Sequence, residues 1–148
     1  MELNLIAIGV VFSIGLTGIG ASLGQLQLTR IAMDTLGKNP KIGKEILIQT
    51  TVGITLIESI VIFGLLVAFK ILGSTTIDYV TAISAGLSIG LTGFIVGLGE
   101  GKLMATSIES LNRNPENKNQ VLMFMILFSA LLESVVIFGL LVALSLLK

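Results

Sequence analysis

The chain has 148 residues, of which 53% are hydrophobic and only 12% charged, with nine basic and nine acidic side chains and a mean hydropathy of +1.01. That is too little charge to clothe a soluble domain of this size, and a net charge of zero speaks against a nucleic-acid partner. Cysteine and histidine are both absent; this excludes disulfides and thiolate metal sites, and it removes the commonest general base, so catalysis by this chain alone is not expected.

The first apolar stretch runs from Leu3 to Met33. It follows Met1-Glu2 without a basic flank and is too long for a cleaved hydrophobic leader, so the expectation is a retained helix. Three more apolar stretches follow at Ile46–Leu72, Ile77–Ile108 and Val121–Leu147. At about 1.5 Å per residue each exceeds the roughly 30 Å hydrocarbon core of a bilayer. The links Asp34–Glu45 and Glu109–Gln120 are polar and contain Asn-Pro, whereas Gly73–Thr76 reads as a tight turn. The fold class is therefore an all-α membrane protein of four transmembrane helices. Its first hairpin spans residues 1–74, with helices at about 3–36 and 42–72. Its second spans residues 75–148, with helices at about 77–111 and 117–147.

Displaced by 75 residues, the sequence overlays itself without a gap. Glu58-Ser59-Ile60-Val61-Ile62-Phe63-Gly64-Leu65-Leu66-Val67-Ala68 meets Glu133-Ser134-Val135-Val136-Ile137-Phe138-Gly139-Leu140-Leu141-Val142-Ala143, and Asn39-Pro40 meets Asn114-Pro115. This is an internal duplication. Two spans per copy make the copies parallel rather than inverted. Arg30, Lys38, Lys41, Lys44, Lys102, Arg113 and Lys118 lie at or near the Asn-Pro loops, and only Lys70 and Lys148 lie at the other end. The positive-inside rule puts those loops in the cytoplasm and both termini outside.

The first helix of each pair is glycine-rich: Gly15, Gly18, Gly20 and Gly24 in one, and Gly86, Gly90, Gly93, Gly97, Gly99 and Gly101 in the other. Spacings of three and four bring most of these to one face, where missing side chains let backbones approach closely. A tightly packed inner layer is expected, with the Leu-, Ile-, Val- and Phe-rich second helices facing lipid. Gly97-Leu98-Gly99-Glu100-Gly101 is not read as a nucleotide loop, because no strand precedes it.

Glu58 and Glu133 fall near the middle of their apolar spans. A charged carboxylate at the bilayer centre costs about 2.5–3.5 kcal/mol on the most lenient scale. A lone glutamate there is held protonated by burial, so each can carry a proton or exchange it for a cation. The hairpin spacing brings Gln25 to the depth of Glu58 and Glu100 to the depth of Glu133. One copy then offers Gln25, Glu58 and Ser59, and the other offers Glu100, Glu133 and Ser134. Oxygen-only ligands suit a hard cation such as Na⁺. Glu100 reads either as a ligand or as a protonated hydrogen-bond donor to Glu133.

With these residues in view, the chain resembles the c subunit of F-, V- and A-type rotary ATPases, also known as the proteolipid or K subunit. The resemblance rests on the glycine-rich helix, the Lys38-Asn39-Pro40 and Arg113-Asn114-Pro115 loops and the central Glu-Ser of the following helix, and it covers both hairpins. It implies a homo-oligomeric rotor ring in which Glu58 and Glu133 carry Na⁺ or H⁺, without catalysis by this chain. A stator a/I subunit would supply an essential arginine, and central-stalk subunits would touch the cytoplasmic loops at Lys38, Asn39, Pro40, Arg113, Asn114 and Pro115. By analogy with sodium-binding relatives, the ligands would be Gln25, Glu58, Ser59 and the Leu56 carbonyl in one copy. Glu100, Glu133, Ser134 and the Leu131 carbonyl would serve in the other. Ile60, Phe63, Val135 and Phe138 stand where such relatives often carry Thr or Tyr, so both ions stay open, as does the F-type or V/A-type class. The resemblance also implies a bacterial or archaeal cell membrane. The competing readings are a small four-helix proton-coupled secondary transporter and a structural membrane oligomer. The first would want an aromatic-lined cavity, and the second leaves the duplicated central glutamates unexplained.

Overall fold

A computed structural model describes residues 2–148, with side chains described from Leu5 onward. Four helices make up the fold: α1 (Glu2–Lys38), α2 (Gly43–Leu72), α3 (Tyr79–Arg113) and α4 (Lys118–Leu146). All four are long and apolar enough to cross a membrane. The fold is the expected pair of tandem hairpins.

Both hairpins turn by one device. The residue before a proline is pushed out of the helical region, and Asn39 (φ −140°, ψ 75°) and Asn114 (φ −144°, ψ 81°) obey. Each Asn still donates its backbone N–H to the helix it ends, to the Thr35 carbonyl at 2.8 Å and the Ser110 carbonyl at 3.0 Å. Pro40 and Pro115 then open single 3-10 turns, Pro40–Ile42 and Pro115–Asn117, where a missing N–H is harmless. Asn39 Nδ2 donates to Asn112 Oδ1 at 3.2 Å, and Lys118 Nζ pairs with Glu45 Oε1 at 2.9 Å, so the loop of one hairpin is tied to the other. Between the hairpins, Asp78 caps α3 by accepting from the Thr81 backbone N–H at 2.7 Å.

The inner pair is α1 against α3, glycine on glycine. A Cβ at Gly101 would fall on the Gly24 backbone, one at Gly86 on the Gly9 backbone, and one at Gly97 on Gly20 and Ala21. Within each hairpin a second close approach repeats: a Cβ on Gly64 would strike Thr17, and one on Gly139 would strike Thr92. The side chains of Thr17 and Thr92 satisfy themselves by donating to the carbonyls of Ser13 and Ser88, each at 2.8 Å. The outer helices α2 and α4 leave large apolar side chains exposed, among them Leu47, Ile62, Phe69, Leu127, Phe138 and Leu141, as a lipid-facing surface requires.

The buried core falls into two clusters. One, nearer the Asn-Pro loops, contains Leu28, Ile57, Met104 and Ile108; the other contains Ile60, Ile89, Val96 and Val136. Ile57 and Ile60 belong to different clusters, so Glu58 and Ser59 lie at the seam between them.

Candidate ion-binding site

The seam holds the polar residues singled out in the sequence, but groups them across the hairpins. Ser59, on α2, places its Oγ 2.6 Å from Glu133 Oε1, on α4, and 2.8 Å from the Leu56 carbonyl. Ser59 therefore partners the acid of the second hairpin, where the spacing within one copy had assigned it to Glu58. The reason is lateral. Glu58 and Ser59 are adjacent on one helix and project about 100° apart, so they cannot both face the same gap. Ser59 faces α4, and Glu58 is turned to the exposed side.

The hydroxyl of Ser59 carries one proton and meets two acceptors. Ser59 Oγ, Glu133 Oε1 and the Leu56 carbonyl thus converge with more lone pairs than hydrogens. That is the chemistry of a proton acceptor or of a hard cation's oxygen cage. Glu133 itself is half-buried. Among the described residues no three His, Cys, Asp or Glu converge on a point, so a cation held here draws on hydroxyl and carbonyl oxygens as well as carboxylate.

Glu100 on α3 is fully buried. One of its oxygens, Oε1, accepts from Ser129 Oγ at 2.5 Å, and the other, Oε2, is buried without a protein partner. Ser129 stands one turn before Glu133 on α4, which brings Glu100 to the neighbourhood of that acid. Ser129 was not singled out in the sequence. The signal was there in the repeat: where the first copy has Gln25 and Ile54, the second has Glu100 and Ser129. A carboxyl and its hydroxyl partner appear together in one copy and are missing together from the other.

The first copy's acid is served less. Gln25 Nε2 donates to Glu58 Oε1 over a long 3.4 Å, and these two residues line an open groove of about 380 Å³ with Gly18, Ser22, Val61 and Ile62. On the other hairpin, Ser134 Oγ donates to the Leu131 carbonyl at 2.7 Å with no carboxylate beside it, and Leu131 is 62% exposed. The structure therefore brings Ser59, Leu56 and Glu133 together with Glu100 close by. It brings Gln25 to Glu58, and it leaves Ser134 and Leu131 on a free edge. At the loops, Lys38 Nζ pairs with Asp34 Oδ2 at 2.6 Å and Arg113 donates to Ser110 Oγ at 3.1 Å. Asn39, Pro40, Asn114 and Pro115 form the turns.

A family model for the C subunit of ATP synthase matches the chain twice, over residues 8–71 and 83–146. The chain is 41% identical over 71 residues to the chloroplastic ATP synthase c subunit of Cyanidium caldarium, an alignment covering 48% of this chain and 87% of that relative. It is 42% identical over 67 residues to the chloroplastic ATP synthase c subunit of Cyanidioschyzon merolae, covering 45% of this chain and 83% of the relative. The chloroplastic ATP synthase c subunit of Emiliania huxleyi is also 42% identical over 67 residues, covering 45% and 82%. These relatives are chloroplastic, not proteins of the bacterial or archaeal cell membrane expected from the sequence. About half of this chain spans more than four fifths of each, so the family unit is present twice.

Proposed function

The chain belongs to the C-subunit family of ATP synthase, and from that membership we propose that it is a non-catalytic rotor-ring subunit whose Glu58 and Glu133 bind and release Na⁺ as the ring turns. The observation that carries the reading is the convergence of Ser59 Oγ, the Leu56 carbonyl and Glu133 Oε1 across the two hairpins, with the two acceptors 2.8 and 2.6 Å from the one hydroxyl. A cation on this cluster is held by all three oxygens at once. A proton carried on Glu133 would instead be donated to Ser59 Oγ, whose own hydrogen then goes to the Leu56 carbonyl, so the same cluster serves either cargo and carbodiimide labelling decides between them.

In this reading each chain holds one site complete and contributes half of a second on either edge. Glu133, Ser59 and the Leu56 carbonyl form the internal site, with Glu100 behind them. Glu58 and Gln25 form one open half, and Ser134 with the Leu131 carbonyl form the other. The next copy in the ring brings the two halves together, in the same cross-hairpin arrangement repeated 75 residues on. A site facing lipid stays neutral with its cation aboard, because a bare carboxylate is costly there. An arginine on a stator subunit would displace the cation as each site passes. Ion flow and ATP synthesis or hydrolysis are then coupled through rotation, with stalk subunits gripping the loops at Lys38–Lys41 and Arg113–Glu116. The Lys and Arg bias of those loops supports a cytoplasmic placement.

The test is carbodiimide labelling of Glu58 and Glu133 in the purified ring at fixed pH with rising Na⁺. Sodium should protect both acids; protection that follows pH alone replaces Na⁺ with H⁺ as the cargo. Ser59→Ala should weaken sodium protection of Glu133 about tenfold while sparing Glu58, the loss of one strong oxygen contact. Ser134→Ala should do the reverse. If Ser59→Ala instead weakens Glu58, the sites close within a hairpin and the cross-hairpin reading is wrong.

A further inference from the structure

One buried polar side chain far from the ion site has no part in it. Gln49, in the second turn of α2, is only 3% exposed, and neither its Oε1 nor its Nε2 has a hydrogen-bond partner. An amide stripped of water with nothing to bond is costly, and a turn of the Gln49 side chain into the groove it lines would offer it to a partner from outside the chain. Gln49 lines a groove of about 240 Å³ together with Lys44, Glu45, Ile48, Leu111, Lys118 and Leu122 among others. The walls come from α2 and α4, the floor from Leu111 of α3, and none of the lining comes from α1. The groove thus opens on the outer-helix side.

Its layering follows the membrane. Lys44 and Lys118 stand in the first turns of α2 and α4, so two ammonium groups meet at the mouth. Glu45 pairs with Lys118, which leaves the mouth net positive. Gln49 lies about 8 Å further along the helix than Lys44, at the depth where ester carbonyls follow a headgroup phosphate. Ile48 and Leu122 carry the apolar wall toward the exposed Leu47 and Met123. Positive groups above, one unsatisfied amide in the middle and apolar walls below are the chemistry of an anionic phospholipid.

We propose that this groove is a binding site for an anionic phospholipid, with the phosphate between Lys44 and Lys118 and an ester carbonyl accepting from Gln49 Nε2. The repeat argues that it is a site and not a general property of the fold. Seventy-five residues away, Asn119 stands in the place of Lys44, Phe124 in that of Gln49 and Gly43 in that of Lys118, while Lys44 stands in the place of Asn119. In the equivalent seam on the free side of α4 a phenylalanine therefore replaces the buried amide. One lysine is lost, but Gln120 also replaces Glu45, so the net charge is the same and the contrast rests on Gln49 and on the second ammonium group. One lipid per chain is expected.

The test uses the oligomer of full-length chains, purified in mild detergent and freed of native lipid. Phosphatidylglycerol and phosphatidylcholine are titrated in separately, and bound lipid is counted by native mass spectrometry. Phosphatidylglycerol should bind at one copy per chain and more tightly than phosphatidylcholine. Lys44→Gln and Lys118→Gln should each weaken it about fivefold, as expected for one lysine at a charged lipid surface. Gln49→Leu should weaken both lipids, because the ester carbonyl is common to them, and Lys70→Gln at the far end should change nothing. Millimolar inorganic phosphate should not displace the lipid; displacement would make this a phosphate site instead. Equal binding of the two lipids, or indifference to both lysine variants, overturns the proposal. The outcome is independent of sodium protection at Glu58 and Glu133, which the same variants should leave intact.

Discussion

The two hairpins share a sequence pattern and a fold, yet they end in different states. In the second, Glu133 is half-buried beside Ser59 and the Leu56 carbonyl, one turn from Ser129, which holds Glu100. In the first, Glu58 is exposed and has only Gln25 at 3.4 Å. The glycines divide by face and not by hairpin: Gly93 is closed onto Thr17 and Ile60 while its counterpart Gly18 is open. A Cβ on Gly24 would fall on Gly97 and Gly101, whereas one on Gly99, its counterpart in the second copy, would meet open space. Each element is satisfied where a neighbouring hairpin stands beside it and open where none does. The difference between the halves is therefore one of position in an unfinished array. A few residues, Glu100 and Ser129 above all, are true sequence differences laid over it.

The largest expected effect breaks the comparison at those glycines. Gly24→Val drives a side chain into the α3 backbone and should cost about 3 kcal/mol or more, since rigid backbone cannot yield as a side chain does. Gly99→Val meets open space in the single chain and should leave its hairpins folded, but it should block the docking of the next copy. Thermal unfolding in detergent reads the first effect, and native mass spectrometry of the oligomer reads the second. If both variants unfold the chain equally, Gly99 already has a partner and the division between closed and open faces is wrong.

That contrast also marks what the sequence could reveal. The four spans, the parallel duplication and the two turns were legible because each depends on residues near one another in the chain. Asn-Pro forces Asn39 and Asn114 out of the helix whatever surrounds them. The matched depth of Gln25 with Glu58, joined at 3.4 Å, needed only equal spacing from the turn. The partnership of Ser59 with Glu133 was not legible in the same way. It depends on how α2 and α4 are rotated about their own axes, and periodicity along one helix carries no such information. Ser129 lay between these cases. No motif announces a lone serine in an apolar span, but comparing the copies position by position exposes it as the residue that changes when Gln25 becomes Glu100.

The Glu100–Ser129 pair gives the next test, of intermediate size. Ser129→Ala removes the donor to Glu100 Oε1 and leaves both oxygens of a buried carboxyl without a protein partner. Interhelical hydrogen bonds in membranes contribute about 0.6–1.7 kcal/mol, so a loss of about 1 kcal/mol is expected. Ser129→Ile combined with Glu100→Gln converts the second hairpin to the first hairpin's pair and should recover most of that loss. The double-mutant cycle is read by unfolding in detergent. Additive effects would mean that the two residues do not act together, and that their joint appearance in one copy is coincidental.

The smallest effect lies outside the membrane, where the hairpins are joined. Asp78 gives α3 a side-chain cap, whereas α2 and α4 begin from proline turns without one. Hydrogen bonds from Thr81 hold the Asp78 carboxyl below its ordinary range. A carboxyl with a depressed folded pKa contributes its stability above the unfolded value, about 3.9, and loses it as pH falls through the lower folded value. The cap on α3 should therefore hold at neutral pH and fade only in strong acid. Asp78→Asn, which keeps an oxygen acceptor but cannot titrate, should show the same fold with that acid-dependent part removed. Hydrogen exchange at the first turn of α3 between about pH 5 and pH 2.5, a window that brackets the unfolded value, checks this in a protein otherwise unchanged. Protection that falls equally in both variants would trace the acid sensitivity to another group, and the junction between hairpins would then owe nothing to the charge on Asp78.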